Sequence, residues 1–230
     1  MTLYHGTDAR MVSMSKEERM EYLTVVDHVA SSLWKVYEPY YHKFVPYTVI
    51  RNGEEKHTYK KAFESYIDIL NSRGYPDMYS NLTLALSRMD SRNQGEGLYQ
   101  YGALYLAGTN YSAEKYAHSS FAGGERGLNA YRLIEGMNIL QFPEWEPDSC
   151  LQMEIDRIMD FASFEKSDPV VITLEGIDTD NLISEDGTPA SAYLQIYYDA
   201  LEKGRPTDFK FRYNGDLDLS KFPVVHVRKK

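Results

Sequence analysis

The chain is 230 residues long, 43% hydrophobic, and carries a formal net charge of −9, which fits one large domain or one domain with an insertion. No basic stripe of the kind that tracks duplex nucleic acid is present, and the one basic cluster, Arg228-Lys229-Lys230, reads as a solvated tail. The single cysteine, Cys150, excludes an intrachain disulfide and a cysteine-built zinc site, and no run approaches the roughly 20 apolar residues of a membrane helix.

Residues 2–5 alternate loosely and predict a short strand ending at Gly6. Ser15 followed by Glu18 is a capping box, and Leu23, Val26, Ala30, Leu33 and Tyr37 continue it as one face of an amphipathic helix ended by Pro39. A second helix is expected from about Lys56, with Tyr59, Phe63, Tyr66, Ile67 and Leu70 on one side, and a third between Ser80 and Met89. After a polar loop, residues 102–107 read as a strand. Ser112 is expected to cap a helix through Phe121, broken at Gly123-Gly124. Helical patterns return at 127–139, 150–162 and 193–203, and strands are expected at 170–174, 209–213 and 223–227. Strands near both ends with helices crowded between them predict an α+β fold.

Three blocks carry residues suited to chemistry. His5-Gly6-Thr7 sets an imidazole and a hydroxyl on one strand face, with a glycine that allows close approach to the backbone. A phosphoesterase would need a second His-x-Thr/Ser element, and neither His57 nor His226 opens one. Tyr105 on a strand and Tyr116 on the following helix either sandwich a flat heterocycle or pack as two core tyrosines. Asp208 opens a late strand after a Gly-x-Pro turn.

Together these blocks resemble the ADP-ribosyltransferase superfamily of the His-Tyr-Glu type, whose best-known members are the poly(ADP-ribose) polymerases. That family has a His-Gly-Thr/Ser strand and a Gly-x-Tyr-Phe-Ala strand with a second tyrosine eleven residues on. Its glutamate opens a late strand. Here His5-Gly6-Thr7, Tyr105 and Tyr116 arrive in that order, and Asp208 stands where the glutamate is expected. The other branch of the superfamily, with Arg, Ser-Thr-Ser and Glu-x-Glu, does not match.

The resemblance implies a split antiparallel sheet over residues 1–230 as a single domain, with 15–95 as a helical insertion or lobe. It implies NAD as co-substrate and a protein as acceptor ahead of a nucleic acid, as in a bacterial or phage toxin or effector. The expected location is cytoplasmic, or a host cytoplasm reached by a signal-independent route. No metal and no membrane partner are expected. His5, Gly6, Thr7, Tyr105, Ser112 and Tyr116 would hold NAD, and His5, Tyr105 and Asp208 would serve catalysis. Glu175 and Glu202 are the fallback acids, because aspartate is one methylene shorter than glutamate. The alternatives are a non-catalytic module binding NAD, ADP-ribose or a protein, and an RNA 2′-phosphotransferase.

Overall fold

In the computed structural model of the chain, residues 2–42, 44–51, 54–61, 74, 77–89, 104–140, 145–163, 165–184, 189–204, 210–215 and 217–228 are described. Strand β1 (Thr2–Asp8) runs through Gly6 instead of stopping there. Asp8 ends it by capping the short helix α1 (Ala9–Ser13), its carboxylate accepting from the Arg10 backbone N–H at 3.0 Å. Helix α2 (Lys16–His42) begins at the expected capping box: the Glu18 N–H donates to Ser15 Oγ at 3.1 Å, and the Ser15 N–H donates to Glu18 Oε2 at 2.8 Å. Pro39 does not end this helix. So near its carboxyl end a proline removes only one i→i−4 bond, and three more residues follow it.

The buried face of α2 is Tyr22, Val26, Val29, Ala30, Leu33 and Tyr37. Helices α3 (Met78–Met89), α5 (Glu125–Leu140) and α6 (Ser149–Phe161) pack against it, with Leu82, Leu86, Leu133, Ile134 and Ile158 at the centre. Each such buried leucine or isoleucine contributes about 1.5–3 kcal/mol. An exposed ion pair such as Arg157 with Glu21 contributes roughly 0–1 kcal/mol, so packing holds the bundle. The Tyr37 hydroxyl stays satisfied inside this core by donating to the Leu133 carbonyl at 3.1 Å. At Gly136 a Cβ would come within 2.6 Å of that hydroxyl and 2.7 Å of Leu82, so the glycine sets how closely α5 approaches α2 and α3.

Strand β2 (Phe44–Arg51) pairs antiparallel with β3 (Glu54–Lys61), so residues 56–61 are strand and not the start of the expected helix. The two residues between the paired Arg51 and Glu54 are Asn52 and Gly53, the dipeptide that most favours a two-residue hairpin connection. The remainder of the expected helix, around Phe63 to Leu70, lies outside the described residues.

Among the described residues the main sheet has six strands, all paired antiparallel, in the order β6-β7-β4-β1-β5-β8. The remaining strands are β4 (Leu104–Ala107), β5 (Pro169–Glu175), β6 (Leu182–Ser184), β7 (Lys210–Tyr213) and β8 (Val224–His226). Strand β6 is not among the strands expected from the sequence. The mixture of helices with an antiparallel sheet is the expected α+β class. Helix α4 (Asn110–Ser119) covers one face of β1, and α7 (Ser191–Glu202) links β6 to β7.

The pairing is uneven. β1 pairs with β5 along all seven residues, from Thr2 opposite Glu175 to Asp8 opposite Pro169. Between β1 and β4 only Tyr4 opposite Ala107 is paired among the described residues. The sheet therefore consists of one half built on β1, with β5 and β8, and another built on β4, with β7 and β6. Among the described residues they join at a single residue pair and open beyond it.

Candidate functional site

A cavity of about 360 Å³ lies where the sheet opens, lined by His5, Gly6 and Thr7 of β1 and by Leu104 to Ala107 of β4. The volume is within the range of small-molecule sites, about 300–1,000 Å³. Tyr116 and Ser119 of α4 and Gly124 to Arg126 at the start of α5 complete one wall, and Arg19 and Leu23 of α2 another. Leu23, expected in the helical core, thus faces the cleft.

His5 is partly buried, and its Nδ1 lies 2.7 Å from the Tyr105 carbonyl oxygen, across the gap between the two strands. A carbonyl only accepts, so Nδ1 carries the proton. Burial pushes the imidazole below its ordinary value of 6.5. The Tyr105 carbonyl pulls the other way without prevailing, and the Arg19 guanidinium adds to the lowering. The neutral ring has Nε2 as an acceptor.

Strand alternation places His5 and Thr7 on one face of β1, with Tyr4 and Gly6 on the other. Gly6 has a structural duty of its own. A Cβ there would fall 1.8 Å from the Ala113 carbonyl oxygen and 2.6 Å from the Ala117 nitrogen, so only glycine lets α4 rest this close to β1. Tyr105 and Tyr116 both line the cavity. The Lys210 ammonium of β7 lies 5.6 Å from the centre of the Tyr116 ring, within cation–π range.

Ser112 is placed differently from expectation. Thr109, not Ser112, caps α4: its Oγ1 accepts the Ser112 N–H at 3.3 Å and donates to the Ser112 Oγ at 3.1 Å. Ser112 is buried in this cap and is not on the cavity wall. The fallback acids are remote in kind. Glu175 is exposed at the end of β5, Glu202 is exposed at the end of α7, and neither lines the cavity. Asp208 lies outside the described residues. The first described residue of β7, Lys210, pairs with Ala107 of β4, so the late strand does border the tyrosine-bearing one. Among the described residues, the acid on the cavity wall is Glu125, ion-paired with Arg88.

Sequence reasoning also missed the anchor of β1. The Asp8 carboxylate is fully buried and accepts from Arg10 Nε at 2.7 Å and Nη2 at 2.8 Å, from Ser167 Oγ at 2.8 Å and from the Asp168 N–H at 3.1 Å. Burial alone would raise its pKa, but these donors hold it below the ordinary carboxylate range. Arg10 in turn donates to the Phe161 carbonyl at 2.5 Å and the Phe121 carbonyl at 2.9 Å, with its guanidinium 4.4 Å from the Phe161 ring centre. One ion pair thereby ties β1, α6, the α4–α5 connection and the segment before β5 together beside the cavity.

Set against known proteins, the chain matches no family model, no curated protein and no solved structure.

Proposed function

We propose that the chain is an NAD-dependent ADP-ribosyltransferase, which displaces nicotinamide from NAD and transfers ADP-ribose to a protein acceptor. The observation that carries this reading is convergence. His5, Gly6, Thr7, Tyr105 and Tyr116, drawn from stretches about a hundred residues apart in sequence, line one cavity at the opening of the sheet.

In the reaction the bond between the ribose anomeric carbon and the pyridine nitrogen breaks, and its electron pair leaves with nicotinamide. An acceptor nucleophile forms the new bond and gives its proton to solvent. Charge builds on an oxocarbenium-like ribose as this happens. The neutral His5, with Nδ1–H held by Tyr105, offers Nε2 to a ribose hydroxyl. The Thr7 hydroxyl serves the neighbouring ribose, the Gly6 backbone takes the carboxamide, and Tyr105 and Tyr116 flank the nicotinamide ring. Asp208 holds the nicotinamide-ribose 2′-hydroxyl and stabilises the developing charge.

The test is incubation with labelled NAD and a cell lysate, read as nicotinamide release and label transfer. Both are expected from the wild-type chain. Asp208→Asn is expected to reduce release by about 10²–10³-fold. If Glu125→Gln does so and Asp208→Asn does not, the acid is Glu125. Calorimetric NAD binding with no release, restored to turnover by Asp208→Glu, would mark a crippled enzyme. Binding with no release in either chain would mark a non-catalytic module. No binding, no release and no label would remove the reading.

A further inference from the structure

We propose that Arg19 is an anion-binding residue of this cleft and takes phosphate oxygens of a phosphorylated ligand, in the first place a diphosphate. Arg19 sits in the opening turns of α2, is partly buried and lines the cavity. Its Nη2 donates to the Met14 carbonyl at 3.3 Å. Its Nε–H is buried with no acceptor, and among the described residues the guanidinium has no ion-pair partner. A buried donor left unsatisfied is destabilising, so such a group is retained where something else supplies its acceptor.

The other charges on the cavity wall are already compensated. Arg126 is held by Asp27, with Nε 3.0 Å from Oδ1, and Glu125 is held by Arg88. His5 is neutral. Among the described residues, Arg19 therefore contributes an uncompensated positive charge to the cavity wall.

One further donor shares the same space. Thr7 is 7% exposed, lines the cavity, and its hydroxyl has no hydrogen-bond partner among the described residues. A planar guanidinium pairs with phosphate oxygens, and the Thr7 hydroxyl, which can donate to phosphate while accepting from a ribose hydroxyl, adds a donor beside it, a set that a diphosphate uses more fully than one carboxylate does.

The anion site rests on the ADP-ribosyltransferase reading only for which ligand brings the diphosphate, and calorimetry on the full chain separates the two. Inorganic pyrophosphate and nicotinamide are titrated separately into wild type, Arg19→Gln and Arg19→Lys. Pyrophosphate is expected to bind wild type and to bind Arg19→Gln at least about tenfold more weakly, the loss of one charge-assisted contact. Arg19→Lys keeps the charge but not the fork and falls between them, and it carries the test should the glutamine variant fail to fold. Nicotinamide affinity is expected to stay the same in all three. No pyrophosphate binding to wild type, or equal binding to the folded variants, overturns the role of Arg19. Pyrophosphate binding through Arg19 without any nicotinamide or NAD binding supports the anion site and overturns the ADP-ribosyltransferase reading instead.

Discussion

His5 donates its Nδ1 proton to a carbonyl on the neighbouring strand, in a partly buried place beside a guanidinium. Its protonation is therefore resisted in the folded chain and not in the unfolded one. As pH falls through the ordinary 6.5, the unfolded chain takes up a proton that the folded chain does not, and stability drops until the lowered folded value is reached. Above 6.5 the contribution is fully present. Urea midpoints at pH 7.5 and 5.5 are expected to differ more for wild type than for His5→Gln, and equal differences would sink the idea. The motif residues at this scale are legible because they are neighbours in sequence or repeat a known spacing. The Asp8–Arg10 anchor is not legible, since its partners at Phe121, Phe161 and Ser167 are brought in by the fold. Arg19 reads in the sequence as part of a helix start, and only the fold brings that stretch of α2 to the cavity wall.

Helix α4 is seated on β1 through the missing side chain of Gly6. The atoms a Cβ would meet are the Ala113 and Ala117 backbone, which cannot swing aside as a flexible side chain could. Gly6→Ala is expected to destabilise the chain by about 1–3 kcal/mol through overpacking. At about 2–4 °C per kcal/mol for a chain of this size, the loss is visible in a thermal melt. An unchanged melting temperature would mean that α4 does not rest on this strand. Elements with strong periodicity or capping chemistry, such as α2, α3 and β5, are readable in advance. Strand β6 is three residues long and offers no period to read. The Asn52-Gly53 signal at the hairpin is local and strong, but it competes there with a run of aromatic residues spaced like a helix. The helix-capping duty passed from Ser112 to Thr109 because both residues have the right chemistry three positions apart, and only the backbone decides between them.

On the scale of the molecule, the helical core and the sheet core are separate clusters, and the cavity lies at their border. Helices α2 and α3, which in sequence read as additions to the sheet, form one core with α5 and α6. They give the cleft its Arg19–Leu23 wall. The join between the sheet halves, Tyr4 opposite Ala107, has a consequence for how the molecule opens. A ladder of seven pairs resists fraying more than a ladder of one, so the halves are expected to open as separate cooperative units. Amide hydrogen exchange is expected to sort accordingly, with the β1–β5 ladder exchanging as one protected group and the β4–β7 ladder as another. A single common exchange rate across both would show that the two halves breathe as one. A ligand gripping both strands would act as a clasp across that seam, and its signature would be slower exchange on both sides at once.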